Sequence, residues 1–268
     1  MSHVQPTYPT DIKYTEWQVL EPLLPKSTGG RPRKWAVCQI VNAIFYVTRS
    51  GCAWRMLPQG FPPWQTVYGY FRRWARSGLW EQLNATLVKQ VRVKQGRQPK
   101  PSAGVIDSQS VKTSEGGEQR GIDVHKQTPG RKRHIVVDTL GLLLIVVVHS
   151  ASIPDGNGGK LTLARLFERI KGYSAAPWCR LKTVWADGGY EDIVYYVRLY
   201  FGWTLDIVRR PPDAKGWVSL PRRWVVERTF GWLGRYRRLA RDFEHTVISS
   251  EAMTYCASIR RMLKLLSH

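Results

Sequence analysis

Two aspartates that follow strand-like apolar runs are the first candidates for chemistry. Asp107 follows the apolar segment GVI, and Asp187 follows the segment KTVWA. A carboxylate at the end of a buried strand costs free energy unless a cation compensates it. Because adjacent parallel strands bring their ends together, we expect both carboxylates to face one site. Gly188-Gly189, directly after Asp187, would let the backbone come close to a ligand there.

A third acid, Glu227, lies in the helical segment RRWVVERTFGWL, whose tryptophans and aliphatic residues form a packing surface. A helix packed on the sheet would deliver Glu227 to the two aspartates. Three such carboxylates suit two Mg²⁺ or Mn²⁺ ions held roughly 3.5 to 4 Å apart, a pair that can cleave and join phosphodiester bonds. The alternative for Glu227 is an ordinary surface ion pair with Arg223 or Arg228.

The first part of the chain has the periodicity of helices. Helices are predicted around 17–24 and 37–50, and over 64–76 and 79–91, whereas the Gly- and Pro-rich stretch 96–103 is predicted to be a linker. The predicted organisation is a helical, helix-turn-helix-type DNA-binding domain at 1–95 and a catalytic domain at 104–268. A small helical bundle with a solvated basic face is the alternative for the first domain.

After the linker, the pattern changes to strands. Strands are predicted to end at Asp107, to form a hairpin over 134–138 and 142–149, and to cover 181–186 and 204–209; helices are predicted at 160–171, 191–201, 222–239 and 250–266. This order is that of an RNase H-like fold, which is of the α/β (mixed α+β) class with a mixed five-stranded sheet flanked by helices. Asp138 and Asp155 are expected to cap turns, with support of the metal site by either one as the alternative, and His134 is expected to lie in a basic loop.

The formal net charge of the chain is +21, and the first hundred residues contain 15 Lys/Arg against 4 Asp/Glu. So basic a chain favours nucleic acid as its partner, with a merely solubilising or ribosomal-type surface as the alternative. The basic residues are not gathered on one amphipathic helix, which disfavours a membrane surface. Four singly placed cysteines disfavour a zinc site or disulfide framework. No signal peptide or long apolar run is evident, so a cytoplasmic location is expected.

Twelve basic residues are candidate DNA contacts. The extended strip GRPRK resembles the AT-hook, which lies in the minor groove, and the helix at 64–76 would enter the major groove. The others are expected near the three acids. A solvated basic loop or face is the alternative in each case. The candidates are Arg31, Arg33, Lys34, Arg72, Arg73, Arg76, Lys112, Arg131, Lys132, Arg133, Arg223 and Arg235.

Long motifs over nearly the whole chain resemble the DDE transposases of bacterial insertion sequences, in the family usually numbered five. The motifs are LEPLLPKSTGGRPRKW, YVTRSGCAWRMLPQGFPPWQTVYGYFRRW, IDSQSVKT, GRKRHIVVDTLGLLL, WADGGY and RWVVERTFGWLGRYRRLARDFE. The wider group has a Tyr, Arg, Glu, Lys signature around its last acid. Arg223 and Glu227 match this signature, whereas Leu220 replaces its tyrosine and Gly234, next to Arg235, replaces its lysine.

The resemblance implies that Asp107, Asp187 and Glu227 are the catalytic, metal-binding triad for two Mg²⁺ (or Mn²⁺) ions. It implies double-stranded DNA as the partner, both the terminal inverted repeats of an element and a target, and at least a homodimer on DNA. The protein would be nucleoid-associated when bound. Two alternatives stay open: an RNase H-like nuclease that only cleaves, and a catalytically inactive or domesticated transposase that acts as a DNA-binding regulator.

Overall fold

The computed structural model describes residues 8–26, 33–114, 116–172, 180–209 and 222–267. Within these residues, short 3-10 helices cover Glu21–Leu23, Trp54–Met56 and Gly188–Ile193. The α-helices are α1 (Tyr14–Leu20), α2 (Val37–Ser50), α3 (Trp64–Arg76), α4 (Leu79–Lys94), α5 (Asp155–Gly172), α6 (Val194–Phe201), α7 (Trp224–Gly234), α8 (Arg237–Ala240) and α9 (Val247–Ser267).

The strands form one mixed sheet: β1 (Ala103–Lys112), β2 (Gly121–Asp123), β3 (Thr128–Asp138), β4 (Leu143–Ser150), β5 (Thr183–Ala186) and β6 (Thr204–Ile207). β1 is central, with β3 antiparallel on one side and β5 parallel on the other, and β6 continues beyond β5 in parallel. β2 and β4 pair antiparallel with successive parts of β3. Helices flank this sheet, as the predicted fold class requires, so the mixed α/β architecture is confirmed.

Two details of the sheet differ from the prediction. The described chain has six strands rather than five, because the short β2 pairs with the start of β3. Asp107 is not at the end of its strand, since β1 continues to Lys112 along its antiparallel partner β3. The parallel pairing of β1 with β5, however, ends at Val105 opposite Trp185. Asp107 therefore lies just past the paired segment on the side that faces β5.

The helices preceding β1 pack on the C-terminal helix. α4 and α1 contact α9, and α9 and α4 both contact β4. One hydrophobic core joins residues such as Phe45, Leu87 and Ile259 to the sheet residues Val105 and Ile135. This core continues from the helical region into the sheet region and so does not itself mark a boundary between two domains. The division at 96–103 stays a prediction.

The opposite face of the sheet has its own core, formed mainly with α5 and α6. Ile106, Val136 and Val184 of the sheet pack there with Leu163 of α5 and Val197 of α6. The alternation along β1 explains the two cores, because Val105 and Ile106 point to opposite faces of the sheet. Helices thus pack on both faces of the sheet.

The predicted helices are present, with shifted ends. α3 covers the predicted 64–76, whereas α5 begins five residues earlier than predicted, at Asp155. The segment 191–201 is split into the 3-10 helix Gly188–Ile193 and α6, and the segment 222–239 is split into α7 and α8. Residues 51–63 separate α2 from α3, which is longer than the three- or four-residue turn of a helix-turn-helix motif. That motif stays a prediction.

Candidate active site

The three predicted carboxylates surround one guanidinium group. Nη2 of Arg223 lies 3.6 Å from Oδ2 of Asp107, 3.4 Å from Oδ2 of Asp187 and 3.8 Å from Oε1 of Glu227. These separations are within ion-pair range but longer than a hydrogen bond. The side chain of Arg223 is only 14% exposed, whereas that of Glu227 is 43% exposed. The cluster therefore sits at a surface opening with its cation on the inner side.

Three elements bring these residues together. β1 carries Asp107, and Asp187 directly follows β5, so each aspartate lies two residues beyond the paired Val105 and Trp185. Arg223 caps the N-terminus of α7, so Glu227 lies four residues further on the same side of the helix. α7 packs against β1 and β3. The alternative ion pair of Glu227 with Arg223 is present, but Arg223 shares its charge with both aspartates.

Backbone N–H groups orient the two aspartates. The N–H of Ser108 donates to Oδ1 of Asp107 at 2.7 Å, and the N–H of Gly189 donates to Oδ1 of Asp187 at 2.9 Å. In both residues this leaves Oδ2 as the oxygen that faces Arg223. In the Gly188-Gly189 pair, the N–H of Gly189 thus donates the hydrogen bond by which Asp187 caps the 3-10 helix.

Burial raises the pKa of Asp107 to about 6, although the Ser108 N–H and the Arg223 charge act in the opposite direction. Three carboxylates against one guanidinium leave an excess of negative charge, which a further cation would relieve. The all-oxygen donor set is of the kind that Mg²⁺ and Mn²⁺ prefer. Within the described ranges, however, no three His, Cys, Asp or Glu side chains are close enough to hold one ion as they stand. The carboxylates would have to draw together, with Arg223 displaced.

A fourth carboxylate lies directly behind this cluster. Asp155, at the start of α5, accepts a hydrogen bond from the Ser108 hydroxyl at 2.8 Å and pairs with Nζ of Lys132 at 3.1 Å. Lys132 also lies 3.5 Å from Asp123 of β2. Burial raises the pKa of Asp155, but Ser108 and Lys132 more than offset it, so the pKa is lower than usual. The predicted turn-capping role is confirmed for Asp138, which accepts the N–H groups of Leu140 and Leu142, but not for Asp155.

A buried pair of histidines lies next to Asp155. Nδ1 of His134 lies 2.7 Å from Nε2 of His149, and Nε2 of His134 lies 3.8 Å from Oδ1 of Asp155. Burial lowers the pKa of both rings, that of His134 to about 3, so both are neutral near pH 7. A side chain at Gly158 would begin 2.4 Å from the His134 ring. Glycine in the segment DGNGG therefore lets α5 pack directly on the pair.

Tyr190, in the motif ADGGY, lies near both the histidine pair and the carboxylates. It is 1% exposed, and its ring stands edge-on to that of His134. Burial raises its pKa well above the usual value, and the charges of Asp107, Asp155 and Asp187 raise it further. Tyr190 therefore stays protonated near these three carboxylates.

The structure separates the basic candidates into exposed and buried ones. Arg223 belongs to the carboxylate cluster, and Arg31 lies outside the described residues. The exposed candidates are Arg33, Lys34, Arg72, Arg73, Arg76, Lys112 and Arg235. The guanidinium of Arg72 stacks on the ring of Tyr68, and that of Arg73 stacks on the ring of Tyr70. Both charges lie on the outer face of α3.

The run Arg131-Lys132-Arg133 was predicted to face DNA near the three acids, with a solvated loop as the alternative, and both interpretations are wrong. The three residues lie in β3 and are 0%, 4% and 2% exposed. Arg131 pairs with Asp242 at 3.2 Å, and Arg133 donates to the carbonyl of Leu239 at 2.7 Å. His134, predicted for the same loop, is buried in β3 as well. Internal acceptors compensate these charges, which allowed a basic segment to form a core strand.

Sequence reasoning missed Ser108, Lys132 and Tyr190 as supports of the site. Their signals were present but ambiguous, since Ser108 follows Asp107 directly and Tyr190 ends the ADGGY motif. Neither residue type indicates burial by itself. Lys132 was identified only as a positive charge, and its pairing with Asp155 depends on the hairpin and α5 together.

Comparison with known proteins identifies the family. A model described as "Putative transposase of IS4/5 family" matches residues 12–84, and one described as "Transposase DDE domain" matches residues 98–259. A Burkholderia cepacia protein, "Putative transposase for insertion sequence element IS402", is 33% identical over 116 residues, 43% of this chain and 54% of the relative. A second, "Insertion element IS402 uncharacterized 16.2 kDa protein", is 28% identical over 130 residues, 46% of this chain and 84% of the relative.

The chain spans about half the length of the first of these relatives. No solved structure matches it. None of the helices in the described ranges combines the length and apolarity needed to cross a membrane. The DDE model covers more than half of the chain, including all three carboxylates around Arg223. The chain belongs to the family of transposases with a DDE domain.

Proposed function

We propose that the protein is a DNA transposase that binds the terminal inverted repeats of an insertion sequence, cuts at the element's end and joins that end to target DNA. The observation that carries this proposal is the convergence of Asp107, Asp187 and Glu227 on the single cation of Arg223. Three carboxylates from two strands and a helix, with too little positive charge between them, are suited to cationic cofactors.

Asp107, Asp187 and Glu227 would hold two Mg²⁺ or Mn²⁺ ions, which when bound activate an attacking oxygen and stabilise a leaving one. The protein's contribution is to fix the carboxylates. The N–H groups of Ser108 and Gly189 set the orientation of the two aspartates, so their Oδ2 atoms point into the site. Asp155 is a positioning residue, because it holds the Ser108 hydroxyl and so the part of β1 that carries Asp107.

The reaction has two steps at one site. A water oxygen forms a bond to phosphorus at the element's end while the bond to the 3′-oxygen breaks, which frees a 3′-hydroxyl. That hydroxyl then attacks a target phosphate in line, and the target's 3′-oxygen leaves. Arg223, at the inner side of the carboxylates, would hold a phosphate oxygen when its guanidinium is not paired with the acids.

DNA is held outside this site by the exposed basic residues. Arg72, Arg73 and Arg76 lie on one outer face of α3, and Arg33 with Lys34 continues the predicted minor-groove strip. Because phosphate contacts dominate such binding, affinity falls steeply with salt. Two element ends have to be joined together, so the active form on DNA is at least a homodimer.

The decisive experiment incubates the purified protein with Mg²⁺, a labelled duplex carrying the element's own end, and a target plasmid. Wild type is compared with Asp187→Asn and with the control Glu191→Gln. Glu191 is an exposed acid in the 3-10 helix that Asp187 caps, and among the described residues its ion-pair partner is the exposed Arg209. We expect cleaved and joined products from wild type and the control, and none from Asp187→Asn or after addition of EDTA.

Other outcomes point to the alternatives. Metal-dependent cleavage without any joined product would indicate a nuclease that only cuts. Tight binding of the duplex without cleavage, in Mg²⁺ and Mn²⁺ alike, would indicate a DNA-binding regulator. Loss of activity in Glu191→Gln as large as in Asp187→Asn would contradict the specific role of the carboxylate cluster.

A further inference from the structure

A basic cleft lies apart from the carboxylate cluster, between α2, the α7–α8 junction and α9. Its volume is about 570 Å³. Two aromatic side chains, Trp232 and Tyr236, form part of its wall. In the part of the chain that the structure describes, its lining contains no acidic residue. The basic residues that line it are Arg49, Arg235, Arg260, Arg261 and Lys264.

Among the described residues, carboxylates pair with little of this positive charge. Arg260 is the exception, since it is buried and pairs with Glu16 at 2.7 Å. Arg49 is exposed and donates to the neutral carbonyl of Arg235. Among the described residues, no carboxylate lies within ion-pair distance of Arg49, Arg261 or Lys264. In the described structure the cleft therefore presents cations that lack a carboxylate partner and could pair with an external anion.

The aromatic residues hold the guanidinium groups in place. The Arg261 guanidinium lies 3.4 Å from the centroid of the Trp232 ring, and that of Arg49 lies 5.4 Å from Tyr236. Stacking of this kind uses the flat face of a guanidinium and leaves its N–H edge free for a phosphate. Burial first and repulsion from Arg228 second lower the pKa of Arg261 to about 10. Arg261 thus remains charged at neutral pH, and an anion would relieve this repulsion.

The cleft is linked to the carboxylate cluster through α7. Glu227 and Trp232 are five residues apart on that helix, and Arg228 also stacks on Trp232, at 4.4 Å. Arg235, at the end of α7, is eight residues from Glu227, or about 12 Å of helix. That distance corresponds to about three to four base pairs of B-form DNA, at 3.4 Å each.

We infer that this cleft binds the phosphodiester backbone of double-stranded DNA about three to four base pairs from the phosphate at the carboxylate cluster. The inference rests on the proposed function, because it takes DNA as the ligand of that cluster. The cleft joins α2, α7 and α9, so it makes the helical N-terminal region and the catalytic sheet region hold the same stretch of DNA. Its cations supply affinity and register, whereas base readout is left to other surfaces.

The first test compares two double variants that remove equal charge. Arg49→Gln with Lys264→Gln removes two exposed cations of the cleft, and Lys89→Gln with Arg198→Gln removes two exposed cations elsewhere. Binding to the inverted-repeat duplex is followed by fluorescence anisotropy over a salt series, without divalent metal, so that no cleavage occurs. Thermal melting checks that both variants are folded.

We expect the cleft variant to bind about tenfold more weakly and its salt slope to fall by about 1.8, which is 0.9 for each lost phosphate contact. The control should bind within about twofold of wild type, since it loses only long-range attraction. Equal weakening of the two variants would overturn the inference. A wild type that binds no DNA at all would instead contradict the proposed function.

The second test locates the contact. Single uncharged methylphosphonate linkages are placed along both strands near the cleaved bond, and each duplex is bound by wild type and by Arg49→Gln/Lys264→Gln. Wild type should lose affinity at linkages about three to four base pairs from that bond, whereas the cleft variant should be insensitive there. Equal sensitivity of both proteins at every position would overturn the inference, as would preference for an RNA duplex over DNA.

Discussion

The acidic residues of this protein are compensated in two different ways. In the core, Asp138 has its own partner in Arg92, Glu244 has Arg238 at 2.7 Å, and Glu16 has Arg260 at 2.7 Å. At the edge of the sheet, three carboxylates share Arg223 at 3.4 to 3.8 Å. A one-to-one ion pair neutralises an acid within the folded protein. Three carboxylates around one guanidinium keep an excess of negative charge, which an external cation can neutralise. This difference distinguishes the structural acids from the acids of the proposed active site.

Basic residues show the same contrast. Arg131 is fully buried and surrounded by carbonyl and carboxylate oxygens, while Arg261 and Lys264 line an open cleft that lacks acidic residues in the described structure. Sequence neighbours do not reveal the difference, because both sets stand in segments rich in arginine. What differs is whether an acceptor of the same chain reaches the charge.

The largest effect is expected at a one-to-one pair. Asp138→Asn removes the partner of Arg92, which is 5% exposed, and an uncompensated buried charge should lower the free energy of unfolding by about 3–5 kcal/mol. Urea denaturation measures this loss. The double variant Arg92→Met/Asp138→Asn is the control and should recover part of it. A loss below about 1 kcal/mol, the level of a surface pair, would remove the distinction between the two sets.

A smaller effect is expected at Asp155, which belongs to neither set. Asp155→Ala should reduce DNA cleavage about ten- to a hundredfold, as a displaced reacting group does, because the Ser108 hydroxyl loses its acceptor and Asp107 is held less firmly. Calorimetric titration with Mn²⁺ should show weaker binding, with little change in DNA affinity. Ser108→Ala should behave alike, and the double variant should be no worse than either one. Unchanged Mn²⁺ binding would limit Asp155 to stability.

A several-fold increase in Mn²⁺ affinity is expected when the shared cation, Arg223, is removed. Arg223→Gln leaves three carboxylates without their guanidinium, so Mn²⁺ should bind about three- to tenfold more tightly in the absence of DNA. Activity should nevertheless fall, since the phosphate loses a donor. The control is Arg198→Gln, at an exposed site on α6. Weaker Mn²⁺ binding in Arg223→Gln would mean that Arg223 shapes the metal site instead of competing for it.

The smallest effect concerns pH in the metal-free protein. The pKa of Asp107 is raised to about 6 by burial, so the folded state holds a proton that the unfolded state releases near pH 4. This stabilisation is complete below about pH 4 and is lost as pH rises through about 6. Asp107→Asn should therefore gain stability relative to wild type between pH 4 and 7, by on the order of 1 kcal/mol. Melting curves across that range would contradict this if the difference stayed constant.

Much of the candidate site could be predicted from the sequence because its signals are local. Asp107 and Asp187 each follow a run of apolar residues, and the α7 segment has a helical apolar surface around Glu227. Periodicity and the strand–helix order then place all three at one edge of a sheet. The hairpin of β3 and β4 was equally local, since Gly141 adopts φ +79° in its turn. What could not be predicted is which partner each charge finds.

The sequence alone determined the class of fold, the choice of three acids as candidates for one site, and the basic character of the chain. Apolar periodicity and residue type are properties of short segments, so they can be read without the structure. Only the tertiary structure decided that Arg131 and Arg133 are internal, that Arg223 is shared, and that Asp155 supports the site through Ser108. A charge is buried or free according to acceptors that come from distant segments, such as Asp242 for Arg131. Those contacts exist only when the sheet and the helices have packed.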